Sequence, residues 1–199
     1  MKVVIIQYNA GNIHSVRIAL QRLGFQAVVT DDPKIIKDAD KIIFPGVGEA
    51  SSAMFYLRTR GIANLLSELK QPVLGICLGL QLMCSYSEEN NTKCLGIFPA
   101  AIKRFPPGDK IPHIGWNSIY ELRSDLFKNI TDDDGQDHPN YVYFVHSYYA
   151  EINRQTVAQS QYILPFSAAL QKDNFFAVQF HPEKSGMIGE QILKNFLEL

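Results

Sequence analysis

The chain has 199 residues, of which 46% are hydrophobic and 20% charged; it is long enough for one domain with its own core and too apolar for a disordered segment. Its 19 Lys plus Arg against 20 Asp plus Glu give a net charge of -1. With no basic stripe to track a phosphate backbone, nucleic acid is not an expected partner. No apolar run approaches the roughly eighteen residues needed to cross a bilayer, so no membrane partner is expected either.

Residues 3–7 are a short β-branched run whose continuous apolar character predicts a strand buried on both faces. Asn9-Ala10-Gly11-Asn12 predicts a turn, with Asn12 as cap of a helix that carries Val16, Ala19, Leu20 and Leu23 and stops at Gly24. Residues 25–30 form a second predicted strand. A third, over 41–44, stops at Pro45-Gly46-Val47-Gly48. Two helices, around 52–57 and 61–69, lead into a fourth strand at 73–76, and 78–86 is predicted helical. This alternation of strand and helix predicts an α/β fold. Its three layers, in the flavodoxin-like manner, are a mostly parallel central sheet with helices on both faces.

From residue 95 to about 149 the pattern changes to short strands, broken at Phe105-Pro106-Pro107-Gly108, at Gly115-Trp116-Asn117 and by the acidic stretch 131–139. These predict a smaller antiparallel extension. The acidic stretch reads as a solvated loop, since it lacks the alternate carboxylates and closing Glu of a calcium loop. Residues 141–145 form a strand candidate, 168–170 and 175–180 a hairpin pair, and 187–197 a closing helix with Ile188, Ile192 and Phe196 on one face. No repeat or linker divides the chain, so residues 1–199 are expected to form one domain.

The three cysteines, Cys77, Cys84 and Cys94, are odd in number and lack zinc-knuckle spacing. Residues 1–8 lack the long apolar region of a secretory signal, and a cytoplasmic location is expected. Histidines 14, 113, 138, 146 and 181 form no ligand cluster along the sequence, so no metal is expected. The first strand-to-helix turn has no spaced glycine triplet, which argues against a dinucleotide; no cofactor is expected.

Gly75-Ile76-Cys77-Leu78-Gly79 joins a buried-looking strand to a helix. A residue on such a turn stands above the carboxyl end of a parallel sheet, where ligands bind. The helix N-terminus there favours a thiolate and offers unpaired N–H groups to an oxyanion. A buried cysteine packing as a small hydrophobe is the competing reading, and the turn alone leaves both open. Cys84, seven residues on, reads as core; Cys94 lies in a polar loop with no base nearby. His181 ends the apolar run 175–180, where a parallel strand would bring it to the same sheet edge as Cys77, and Glu183 follows two residues later to fix its tautomer. Together the three favour a Cys–His–Glu hydrolase of an acyl or amide group. The Gly46-Val47-Gly48 backbone, after the third strand, is a candidate source of oxyanion N–H groups or a plain glycine turn.

Gly75-Ile76-Cys77-Leu78-Gly79-Leu80-Gln81 with His181-Pro182-Glu183 resembles the triad, or class I, glutamine amidotransferases along nearly the whole chain. The resemblance implies that Cys77 attacks the side-chain amide of L-glutamine, that His181 moves the protons and that Glu183 orients it. It implies oxyanion and substrate contacts from Gly46, Val47, Gly48, Leu78, Gln81, His146, Ser147 and Tyr148. Tyr8-Asn9-Ala10-Gly11-Asn12, Phe44-Pro45-Gly46-Val47-Gly48, Pro112-His113-Ile114-Gly115-Trp116-Asn117, Tyr143-Phe144-Val145-His146-Ser147-Tyr148 and His181-Pro182-Glu183-Lys184-Ser185 are similar to one branch of that family. Members of that branch are separate glutaminase subunits. Each forms a heterodimer with a TIM-barrel cyclase subunit that makes imidazole glycerol phosphate and an aminoimidazole carboxamide ribotide in histidine biosynthesis. That likeness places Asn12, Trp116, Asn117, Tyr143 and His146 towards the partner. The acidic stretch 131–138 is longer than the corresponding turn in that branch. A glutaminase serving another acceptor synthase is the alternative, and a non-catalytic scaffolding relative is a second.

Overall fold

A computed structural model describes residues 1–8, 12–131 and 139–199. Its strands are β1 (Val3–Ile6), β2 (Ala27–Thr30), β3 (Lys41–Gly46), β4 (Val73–Cys77), β5 (Tyr86–Ser87), β6 (Thr92–Lys93), β7 (Ala101–Arg104), β8 (His113–Ile119), β9 (Asn140–His146), β10 (Tyr148–Ala150), β11 (Thr156–Gln161), β12 (Pro165–Lys172) and β13 (Phe175–Val178). The helices are α1 (Ile13–Arg22), α2 (Pro33–Lys37), α3 (Ala50–Thr59), α4 (Ile62–Glu68), α5 (Leu78–Met83) and α6 (Gly186–Glu198).

The central sheet has seven strands in the order β11-β12-β13-β4-β3-β1-β2. The pairs from β13 to β2 are parallel, and β12 and β11 add antiparallel at one edge. A strand buried on both faces sends alternate side chains into two cores. Val4, Ile6, Ile42 and Phe44 pack on one face with α3, α4 and α5, while Val3, Ile5, Ile43, Leu74 and Ile76 pack on the other with α1 and α6. Each fully buried aliphatic or aromatic side chain contributes roughly 1.5–3 kcal/mol. A four-stranded sheet, β10-β7-β5-β6, and the antiparallel ribbon β8-β9 complete the smaller extension. Among the described residues no helix is long and apolar enough to cross a membrane.

The structure departs from the predicted elements at several places, among them edge strand β11, which no predicted element covers. Helix α2 has no counterpart among the predicted elements, although Asp32 caps it by accepting from Lys34 N at 2.8 Å and Pro33 stands at its first position. Strand β3 runs through Pro45 to Gly46, which pairs in register with Cys77. The helix after Cys77 ends at Met83 because Cys84 turns extended, at ψ 177, and Tyr86–Ser87 is drawn into the second sheet. Gly115-Trp116-Asn117 does not break a strand. It lies inside β8, with Gly115 at φ 140, a value that glycine alone adopts freely, so the ribbon stays paired through it. Asn12 holds the cap position of α1 at φ 78, but its side chain does not cap the helix. The predicted turn residues Asn9, Ala10 and Gly11, and the acidic stretch from Asp132 to His138, lie outside the described residues.

Candidate active site

Cys77 closes β4, the middle strand of the sheet, and stands at φ 54, ψ -108 before α5 begins at Leu78. A non-glycine residue at positive φ stores about 1–3 kcal/mol, and the surrounding packing must hold it there. Gly79 makes that packing possible. A Cβ on it would overlap the Phe44 carbonyl oxygen, so only glycine lets the turn sit against β3. Gly46 meets the same limit from the other side, where a Cβ would overlap the Tyr8 hydroxyl.

His181 arrives three residues after β13, which lies parallel to β4 with Val178 beside Ile76. Strand direction thus brings Cys77 and His181 to one carboxyl edge, as the sequence reading expected. The His181 amide donates to Tyr143 O at 2.9 Å, and its Nδ1 meets Glu183 Oε1 at 2.8 Å. Asn12 Nδ2 also donates to Glu183 Oε1. The Asn12 amide is spent on the Glu183 carboxylate and so does not cap α1. Burial opposes a charge on His181, but hydrogen bonds to Cys77 and Glu183, and their charges, outweigh it and raise the imidazole to about 10. The His181 and Glu183 side chains are 3% and 0% exposed, so this pair works in a dry setting. Cys77 Sγ lies 3.7 Å from Val145 O and 3.8 Å from Gln179 Nε2.

A cavity of about 320 Å³ opens on this edge. Of the residues singled out from the sequence, Val47, Gly48, Cys77, Leu78, Gln81, His146, Ser147, Tyr148 and His181 line it, and Gly46 stands behind it next to Cys77. Glu89, Pro112, Val145 and Lys184 line it too and were not singled out. Lys184 and Pro112 sit inside motifs that were noticed, whereas Glu89 comes from a polar turn with no local signal. Tyr8 is a further omission. Its buried hydroxyl has no hydrogen-bond partner among the described residues, and burial, with Cys77 nearby, holds the phenol protonated well above its usual range. Cys84 and Cys94 are both buried. Burial raises both thiols, Cys94 to about 11, which makes them poor nucleophiles.

The ribbon β8-β9 forms one wall of the site. Alternation along it puts Ile114, Trp116 and Tyr141 outward, at 57%, 56% and 50% exposure, and Trp116 packs edge-on against its register partner Tyr143 at 6.0 Å. Asn117 and His146 turn inward on the opposite face. His146 Nδ1 donates to Tyr148 O at 2.8 Å, which leaves its Nε2 to accept from His113 Nδ1 at 3.1 Å. His113 Nε2 then accepts from Asn117 Nδ2 at 3.4 Å. Burial lowers both rings, His113 to about 4 and His146 to about 3, so the pair is neutral. Of the five residues that the resemblance assigns to the partner side, Trp116 and Tyr143 share the outward face, Asn117 and His146 lie beneath it, and Asn12 sits against Glu183. Among the described residues no group of three or more His, Cys, Asp or Glu is placed to hold a metal ion.

The model of the family "Glutamine amidotransferase class-I" matches residues 4–199. The chain is 59% identical to imidazole glycerol phosphate synthase subunit HisH of Bacteroides fragilis and 54% identical to that of Bacteroides thetaiotaomicron, with 100% of each chain covered in both comparisons. Its fold is similar to a crystal structure of a glutamine amidotransferase, with a TM-score of 0.74 at 19% identity, covering 98% of this chain and 97% of that one.

Proposed function

The chain belongs to the class-I glutamine amidotransferase family, and from that membership we propose that it is the glutaminase subunit of an imidazole glycerol phosphate synthase. Residues 1–199 act as one domain, in the cytoplasm, on L-glutamine. The observation that carries the chemistry is Cys77 and His181 lining one cavity at the carboxyl edge of the sheet, with His181 Nδ1 bonded to Glu183 behind it.

The proton of Cys77 passes to His181, where the raised affinity of the imidazole keeps it. The sulfur attacks the side-chain carbonyl carbon of glutamine. Negative charge gathers on the carbonyl oxygen and is met by the Leu78 N–H and by backbone N–H of the Gly46–Gly48 segment. His181 returns its proton to the departing nitrogen, the C–N bond breaks, and ammonia and a glutamyl thioester remain. Water then attacks the thioester, giving its proton to His181; the C–S bond breaks, glutamate leaves and the thiol is restored. Glu183, held in turn by Asn12, fixes the tautomer throughout. Glu89, the carboxylate lining the cavity, suits the α-ammonium end of the substrate.

The ammonia goes to a separate TIM-barrel cyclase subunit, bound as a heterodimer. The outward face of β8-β9 supports this: exposed Ile114, Trp116 and Tyr141 lie on the ribbon whose Val145 carbonyl touches Cys77 Sγ. An aromatic patch at the lip of an active site has the makings of an interface hot spot. In the complex, Cys77→Ala abolishes synthesis from glutamine and leaves synthesis from added ammonium intact. Glutamate release that survives the substitution shows that Cys77 is not the nucleophile.

A further inference from the structure

Gln179 is fully buried between β13 and His181, and nothing in the mechanism above gives it a task. Its amide joins two groups that have one. Gln81 Nε2 donates to Gln179 Oε1 at 3.1 Å and to Tyr148 O at 3.2 Å, while Gln179 Nε2 points at Cys77 Sγ from 3.8 Å. The direction of these bonds follows from a single atom. A backbone carbonyl can only accept, so Gln81 must present nitrogen to Tyr148 O. Gln179 must then present oxygen to Gln81, which leaves its nitrogen for the sulfur. Both Nε2 hydrogens of Gln81 are spent in this way inside the protein. Its Oε1 has no partner among the described residues, and the side chain lines the cavity. The atom left for a ligand is therefore an acceptor.

We propose that Gln179 is a positioning residue that locks the Gln81 amide with its oxygen towards the cavity, to accept from an N–H donor of bound glutamine, and steadies Cys77 through its own nitrogen. The proposal rests on the glutaminase reading. Without Gln179 Oε1, the Gln81 amide keeps one inward bond instead of two and is free to rotate.

Its two ends predict opposite kinetic splits, measured on the complex with the cyclase. Gln179→Leu removes the lock and raises KM for glutamine roughly five- to tenfold, more than it lowers kcat. Gln179→Glu keeps an oxygen towards Gln81, so KM stays within about twofold. It replaces the nitrogen beside the sulfur with a carboxylate oxygen, so kcat and the rate of Cys77 alkylation by iodoacetamide each fall about tenfold. Because Gln179 acts through Gln81, Gln179→Leu adds nothing to KM in a Gln81→Leu background. Equal rises of KM in the Leu and Glu variants, or a full additional rise in the double variant, overturn the proposal. If Gln179→Leu does not fold, the Glu variant decides: a tenfold rise in its KM is enough to reject the lock. A wild-type complex that releases no glutamate overturns the glutaminase reading and this inference with it; an active wild type without the split overturns the inference alone.

Discussion

Acid destabilises this protein through the neutral pair His113–His146. The two rings are 4% and 5% exposed, and each has one nitrogen accepting and one donating, an arrangement that a second proton on either ring destroys. Both folded values are depressed, to about 4 and about 3, from an ordinary 6.5. Below that ordinary value the unfolded chain binds protons that the folded one refuses. Stability is therefore full above pH 6.5 and drains away as pH falls towards 3–4. At about 1.36 kcal/mol per pH unit per proton, a step from pH 6.0 to 4.5 costs about 2 kcal/mol for each ring and roughly 3–4 kcal/mol for both. His181 has the opposite sign. Its raised value stabilises the fold below pH 6.5 and loses that effect as pH rises towards about 10, so it adds almost nothing in this acid window. Urea unfolding of the wild type and of His146→Asn at the two pH values isolates the effect. The asparagine keeps a donor for Tyr148 O and cannot titrate. The variant starts weaker at pH 6.0, but its acid loss is smaller than that of the wild type by about 2 kcal/mol. An equal loss in both proteins refutes the reasoning.

Three other substitutions test separate parts of the account. Glu183→Gln removes the charge that holds the His181 proton and lowers kcat by roughly 10²–10⁴, and a fall of less than tenfold in steady-state glutaminase assays contradicts the role given to that carboxylate. Gly79→Ala drives a methyl group into the Phe44 carbonyl and costs about 3 kcal/mol or more, a drop in Tm of roughly 6–12 °C by scanning calorimetry; a Tm within about 2 °C of wild type shows that the elbow is not so constrained. Trp116→Ala leaves Tm unchanged and weakens binding to the cyclase by about 2 kcal/mol, roughly thirtyfold in Kd by titration calorimetry. An unchanged Kd removes the ribbon face from the interface.

Periodicity and punctuation made most of the central sheet legible. Continuous apolar runs at 3–7 and 73–76 marked strands buried on both faces, and Val3 and Val4 indeed feed opposite cores. The elbow at Cys77 and the strand end at His181 were legible for the same reason: a parallel pair necessarily presents both at one edge. Glycine is ambiguous punctuation: Gly115 predicts a break, yet its φ of 140 lets β8 continue. The helix after Cys77 was drawn too long because apolar spacing alone cannot tell a helix end from a strand that pairs with a distant partner such as Ala101. Contacts across long sequence separations left no trace at all. The position of Asn12 predicts a cap; its engagement with Glu183, 171 residues away, depends on how α1 packs beside the turn after β13. Gln179 and Glu89 carry no local pattern that sets either apart from any strand-end or turn residue.

Glutamate release from glutamine tests the central claim most directly, measured for the protein alone, with the cyclase, and with the cyclase plus its nucleotide substrate or a product analogue. The account predicts release that rises strongly when the cyclase is added, rises again with the ligand, and disappears in Cys77→Ala under every condition. A complex that forms but releases no glutamate in any mixture contradicts it.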